Sequence, residues 1–414
     1  MILGLAWKNI LHRPLNALLS WILLTSSVTI ISLLLLLQDQ FEQQFESSIA
    51  GVDLVLGAKG SPLQLILSSV YHIDNPTGNI DYGEAQKWMK HPYVAQAIPL
   101  AYGDSYQGFS IVGTTPAYLE KYRATLAQGT SFQADFEVVV GSEAAQRLKV
   151  AIGTTFFGTH GVSAGGEEHR AHSYQVVGIV APTGTVVDNL IISNIESVWK
   201  MHEGHHHEEE SGEEHHESEE HAEEEHADTA THRPEITAVL LKFRNPLGIV
   251  QWPRLVAQTT DMQVASPVVE INRIFSLFGI GIGALTYLGW AVMLLSGLSV
   301  FIALYNTLKE RRYELALLRT MGAGRGQLMR LVLLESLWLC LAGFGTGILL
   351  SRIALLFISS AAEREYHFSF DQLGFKWPQE GYLLLLTLGI GLIAALLPAW
   401  KAYRLNISKT LAHA

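Results

Sequence analysis

The chain has 414 residues, of which 49% are hydrophobic and only 16% charged, with a mean hydropathy of +0.22. That is too apolar for an ordinary soluble protein of this size. The formal charge of −11 is local: Met201 to His232 carries twelve Glu, one Asp and no Lys or Arg, so the remainder sums to +2.

The apolar excess is concentrated in four stretches: Leu15 to Leu37, Ile274 to Leu308, Leu331 to Ser351 and Gly381 to Trp400. Each is about 20 residues or more with few or no charges, enough at 1.5 Å per residue to cross roughly 30 Å of hydrocarbon. Buried helices of a soluble core seldom reach that length without a polar face, so the four are read as transmembrane helices. Lys8, His12 and Arg13 precede the first span, as in a signal peptide. Its apolar core is longer than such a segment needs, however, and LLLLLQDQFEQQF after it offers no small-x-small cleavage pattern; a retained anchor is expected.

Asp39 to Ile49 reads as a polar continuation of the first helix, a stalk. VDLVL then reads as a strand, and GAKGSPLQ as a turn with Pro62 starting a helix. VAQAIPLAY, GFSIVG, FEVVVG, SYQVVGIV, NLIISN and ITAVLLKF are short β-branched runs bounded by Gly, Pro, Asn or Asp. GEAQKWMKH, PAYLEKYRATL, SEAAQRLKV and IESVWKMH between them have helical composition. The result is a mixed α+β domain. GAKGS lacks the GxxxxGK[ST] spacing that wraps a phosphate, and no GxSxG elbow is present, so nothing in this domain reads as catalytic.

Met201 to His232 holds nine histidines, His202, His205, His206, His207, His215, His216, His221, His226 and His232, and no aliphatic side chain larger than Ala after Met201. It cannot bury enough apolar surface to offset the entropy of ordering, and a disordered loop is expected. Imidazole and carboxylate suit Zn²⁺ and other divalent transition metals, so weak multisite binding at these histidines is the expected chemistry; a solvated acidic tether is the alternative. His216 and His221 are five apart, not the four of HExxH, which argues against a metalloprotease.

The second span is charge-free over Ile274 to Leu308, about 50 Å if helical, and should project beyond the membrane into the stalk. Gly279 and Gly283, and Gly343 and Gly347, stand in the GxxxG spacing of close helix packing, within one chain or between copies. Glu335 and Arg352 lie near the ends of the third span, leaving no midplane charge for an ion path. Cys340, the single cysteine, reads as a small apolar helix residue, and it leaves the α+β domain without a disulfide.

Lys309 to Arg330, KERRYELALLRTMGAGRGQLMR, is the longest basic segment between two spans and has amphipathic helical character. With Lys8 and Arg13 before the first span and Lys401, Arg404 and Lys409 after the fourth, the positive-inside rule puts both termini and this loop in the cytoplasm. The expected fold is an α-helical membrane protein with four transmembrane helices plus an α+β extracytoplasmic domain inserted between the first and second. Its segments are 1–37, with the first helix; 38–273, the extracytoplasmic domain, with 201–232 as its insert; 274–308, the second helix; and 309–330, the cytoplasmic loop. There follow 331–358, the third helix; 359–380, a short outer loop; 381–400, the fourth helix; and 401–414, the cytoplasmic tail.

AWKNILHRPLNALLSWILL, RRYELALLRTMGAGRGQLMRLVLLESL and LLPAWKAYRLNISKTL resemble the MacB/FtsX/Lol-type ABC transporter permeases, and EVVVGSEAAQRLKVAIGTTFF and YQVVGIVAPTG look like that family's periplasmic core domain. The insert departs from the family pattern. The resemblance implies a non-enzymatic subunit of the bacterial inner membrane working by mechanotransmission. ATP would be hydrolysed by a separate ABC ATPase subunit, whose movement Arg312, Tyr313, Glu314, Leu315, Leu318 and Arg319 would receive, with Gly322 ending the helix. The expected partners are that ATPase, a second permease copy or paralogue, membrane lipid and a periplasmic binding or envelope protein; no nucleic acid is expected. Metal homeostasis, lipoprotein export and small-molecule or peptide export remain open as roles, beside a regulatory scaffold that activates an envelope partner.

Overall fold

The computed structural model describes residues 14–160, 172–203, 234–366 and 377–404. The chain begins with α1 (Pro14–Ile49), followed by β1 (Leu54–Ala58), α2 (Pro62–Ser69), β2 (Ile80–Asp81), α3 (Tyr82–Met89), β3 (Val94–Tyr106), β4 (Phe109–Thr114) and α4 (Ala117–Lys121). It continues through β5 (Leu126–Gly129), β6 (Glu137–Val140), α5 (Ser142–Leu148), β7 (Thr155–Phe156), β8 (Thr159–His160) and β9 (Tyr174–Val180). A 3₁₀ turn, Val186–Asn189, precedes β10 (Ile191–Asn194) and α6 (Ile195–Glu203). Then come β11 (Glu235–Ile236), β12 (Ala238–Phe243), α7 (Pro246–Thr259), β13 (Met262–Ala265), α8 (Pro267–Glu310), α9 (Arg312–Thr320), α10 (Arg325–Tyr366) and α11 (Trp377–Tyr403). Two units result, one of residues 1–42 with 276–414 and one of residues 43–275. By chain continuity α1 and α8 contribute to both.

The α+β unit is built on a mixed sheet in the order β13-β1-β12-β3-β4-β10-β6-β9-β5, with β7 on β9 and β8 on β3. Pairs β4/β10 and β6/β9 are parallel, and the rest are antiparallel. Successive side chains of a strand face opposite sides. Val55 and Leu240, paired in register, enter one core with Ile98, Val112 and Val139, while Leu54, Leu56, Val239 and Leu241 enter another with Trp252 and Val264. Burial on both faces explains why these strands read as unbroken apolar runs rather than alternating ones.

Local chemistry sets the helix starts. Ser61 Oγ accepts from Gln64 N–H ahead of Pro62, Asp81 Oδ1 accepts from Glu84 N–H at 2.7 Å, and Asn245 Oδ1 accepts from Leu247 N–H at 3.0 Å ahead of Pro246. The helix expected over PAYLEKYRATL stops early, at Lys121. Arg123 adopts φ +51° and Ala124 N–H bonds back to Leu119 O, a left-handed helix stop, and Leu126 is drawn into pairing with Val180 of β9.

Among the described residues four helices, α1, α8, α10 and α11, are long and apolar enough to cross a membrane. Small residues and hydroxyls bring them together. Thr25 and Thr346 share a hydrogen bond at 2.9 Å, Ser32 and Ser351 at 3.1 Å, and Ser20 and Ser299 at 2.9 Å. Gly391 lies against Cys340, and Ser336 Oγ donates to Gly391 O at 2.7 Å. In lipid such hydroxyl bonds and close backbone approaches take over the role of apolar burial.

Candidate functional site

The segment between α8 and α10 forms a short helix with two defined ends. Leu315 N–H bonds to Arg311 O at 2.9 Å as α9 opens, with Glu314 in its first turn and Arg319 in its last, each matching the helix dipole. At the other end Gly322 N–H donates to Arg319 O at 3.2 Å and Ala323 N–H to Leu318 O at 3.0 Å, with Gly322 at φ +99°. These are the two bonds of a Schellman stop, and they require a residue free to take positive φ. Two residues on, Gln327 Oε1 accepts Gly324 N–H at 2.9 Å and caps the start of α10.

The two faces of α9 differ. Leu315 and Ala316 are buried, and Leu315 joins Leu304, Leu308, Leu328, Leu331 and Val332 in one apolar cluster against which Leu318 packs. On the opposite side Tyr313, Leu317 and Met321 are 52%, 47% and 79% exposed, at spacings of four residues that put them in one row. Sequence reasoning named Leu315 and Leu318, which anchor the helix, and missed Leu317 and Met321, which the surface presents. The signal for them was the 3.6-residue period: once Leu315 and Ala316 are assigned inward, Leu317 and Met321 fall outward with Tyr313.

Charge surrounds the row. Arg312 and Glu314 are exposed, Arg319 is half-buried, and Arg311 Nε stands 3.5 Å from Glu314 Oε2. Behind the helix lies a cavity of about 90 Å³ lined by Arg311, Glu314, Leu315, Leu318, Leu331 and the buried carboxylate of Glu335. At the same end of the bundle Lys401 Nζ bonds Tyr305 OH at 3.2 Å, and the Arg404 guanidinium lies 4.8 Å from the Trp400 ring centroid. Such aromatic and basic pairs are typical of a membrane–water interface.

The other residues singled out from the sequence separate into three groups. Gly343 and Gly347 meet α1: an added Cβ would stand 2.8 Å from Leu24 Cβ and 2.7 Å from Val28 Cβ. Gly279 and Gly283 have open space beside them. His202 stands in the last turn of α6, while His205, His206, His207, His215, His216, His221, His226 and His232 lie outside the described residues. Among the described residues no group of three or more His, Cys, Asp or Glu side chains is arranged to hold a metal.

Two family models match the chain in sequence order. The MacB-like periplasmic core domain matches residues 15–217, and the FtsX-like permease C-terminal domain matches residues 286–407 and so includes α9. The chain belongs to the MacB/FtsX-type permease family. As a member of that family it is an ABC transporter permease, a multi-pass membrane subunit whose relatives work with an ABC ATPase. Solved structures similar to part of this permease include the periplasmic region of MacB from Actinobacillus actinomycetemcomitans, at 12% identity and TM-score 0.33, covering 56% of this chain and 98% of that one. The extracellular domain of the ABC-type transporter YknZ from Gram-positive bacteria is similar at 11% identity and TM-score 0.30, covering 51% and 99%. No curated protein matches the chain.

Proposed function

We propose that this permease receives mechanical input from a separate ABC ATPase at α9 and passes it along α1 and α8 to the α+β domain, which acts on the outer side of a bacterial inner membrane. The observation that carries this reading is the row Tyr313, Leu317 and Met321, open on a helix whose other face is built into the bundle. A short rigid helix with one exposed apolar row suits a groove on a partner, and its attachment through Leu315 and Leu318 carries the partner's movement into α8 and α10. The chain has no GxxxxGK[ST] loop, so nucleotide chemistry is assigned to the partner. The 36 residues of α1 and 44 of α8 exceed what roughly 30 Å of hydrocarbon requires, and the excess serves as stiff struts. The basic residues beside the spans support a cytoplasmic side for α9 and both termini in this reading. A second copy or a paralogue completes the transporter.

The test is ATP turnover by the complex in nanodiscs. Leu317→Asp with Met321→Asp should abolish stimulation of the ATPase by the permease, with an unchanged melting temperature for the permease alone. Full stimulation would overturn the reading.

We also infer that the insert 201–232 links the transporter to metal homeostasis, because nine histidines among twelve glutamates form a ligand-dense segment for borderline cations. Calorimetric titration of Zn²⁺ into the full chain, with and without the insert, tests this. Heat lost on deletion supports it, and identical heats reject it.

A further inference from the structure

Two rows of side chains run to one end of the membrane bundle and finish in cations. On α8 the row is Leu298, Ile302, Tyr305 and Lys309. On α11 it is Ile393, Leu397 and Trp400, with Arg404 following just past the helix end, where its N–H donates to Trp400 O at 3.1 Å. Spacings of three and four residues put each row on one helix face. Leu298, Ile302, Ile393, Leu397 and Trp400 are all exposed. The two helices approach each other where a Cβ added to Gly297 would stand 2.6 Å from Ile390 Cγ2.

Lys401 bridges the two helices. Its Nζ donates to Tyr305 OH at 3.2 Å and lies 4.4 Å from the centroid of that ring. The Arg404 guanidinium lies 4.8 Å from the centroid of Trp400, which stacks in turn on Tyr403 at 5.9 Å. Lys309 and Arg312 are close enough for their charges to act on Tyr305. All of these cations are exposed, and among the described residues no carboxylate pairs with Lys309, Arg312, Lys401 or Arg404. Tyr305 OH accepts from Lys401, which leaves its own proton for a further acceptor. The cations and the phenol together offer donors to an anion at the head of two apolar rows.

We propose that this corner holds an anionic glycerophospholipid, its phosphate on Lys401, Arg404 and Tyr305 and its acyl chains along the two rows. From Ile393 to Arg404 a helix rises about 16 Å, the depth of one leaflet of a roughly 30 Å hydrocarbon layer. Basic residues beside a span attract anionic headgroups, and basic pockets between spanning helices bind them. The Tyr305 and Trp400 rings hold Lys401 and Arg404 in place before the lipid arrives, so less side-chain freedom is lost on binding. A nucleic acid or an acidic protein would meet the cations and leave the apolar rows unmatched. The site goes beyond the coupling reading and does not depend on which subunit drives α9.

Native mass spectrometry of the full-length permease in detergent, titrated with phosphatidylglycerol, with phosphatidylcholine of the same chains and with inorganic phosphate, tests it. The wild type should retain phosphatidylglycerol and release phosphatidylcholine. Each cation near an anionic headgroup contributes about fivefold, so Lys401→Gln with Arg404→Gln should weaken phosphatidylglycerol binding by about 25-fold. Arg325→Gln with Arg330→Gln removes the same charge from exposed positions on α10 and should leave binding near the wild-type value. Equal retention of the two lipids, equal loss in the two variants, or displacement of the lipid by equimolar inorganic phosphate overturns the proposal. Loss of ATPase binding in the Lys401 and Arg404 variant, with lipid binding unchanged, assigns the patch to the ATPase and overturns it as well. If that variant does not fold, the wild type in nanodiscs is cross-linked with phosphatidylglycerol carrying a diazirine beside its headgroup. Adducts on 298–309 and 393–404 in excess of those from the matching phosphatidylcholine probe support the proposal, and equal labelling by the two overturns it.

Discussion

The Ala323 N–H donates to the Leu318 carbonyl across Gly322, and that bond decides where α9 ends and the turn into α10 begins. Leu318 is packed on the bundle, so the helix stop is fixed to the same body that α9 would drive. Gly322→Ala places a side chain at φ +99° and should weaken this turn by about 1–2 kcal/mol. The expected outcome is a partial loss of ATPase stimulation with little change in the global melting temperature.

The buried and exposed sides of α9 should respond differently to substitution. Leu315→Ala removes a fully packed side chain and should destabilise the bundle by about 2–4 kcal/mol, read as a lower melting temperature of the purified permease. Tyr313→Ala should leave that temperature unchanged and lower affinity for the ATPase, measured by surface binding in detergent.

Gly343 and Gly347 let α10 approach α1, where Thr29 Oγ1 donates to Gly347 O at 3.1 Å. Gly347→Val would force the helices apart at Val28 and should cost about 1–3 kcal/mol, more if the Thr29 and Thr25 bonds are also lost. Gly279→Ala and Gly283→Ala meet open space and should be neutral in the isolated chain. An effect of either on cross-linked dimer yield, with monomer stability unchanged, would assign that face to a second copy.

Arg352 and Glu380 form an ion pair between α10 and α11, with 15% and 4% of their side chains exposed. Removing one partner strands the other away from water, so Arg352→Met alone should destabilise by about 3–5 kcal/mol. Arg352→Met with Glu380→Met should recover most of that loss in the same denaturation assay, since an apolar pair of similar volume leaves no buried charge.

Much of this was legible in the sequence because it rests on local periodicity. The four spans follow from run length, the strands from short β-branched runs, and the end of α9 from Gly322, whereas burial of the strands on both faces shows only in the packing. The inward face of α9 was harder. Leu315, Leu317 and Leu318 are equally apolar, and only packing against Leu331 and Val332 shows which of them is anchored. The same holds for the glycines: both pairs have GxxxG spacing, yet among the described residues Gly343 and Gly347 meet a neighbouring helix and Gly279 and Gly283 do not. Arg352 with Glu380, and Lys121 with Ser48, are contacts across 28 and 73 positions, which no short window reveals.

The most direct measurement of the central claim is ATP turnover by the reconstituted permease–ATPase complex carrying Leu317→Asp and Met321→Asp, beside wild type and beside Lys242→Asp, an exposed position in the α+β unit. The account predicts that stimulation by the permease falls to the level of the ATPase alone in the double variant and stays at the wild-type level in the Lys242 control. Wild-type stimulation in the double variant, with the complex intact, would contradict it.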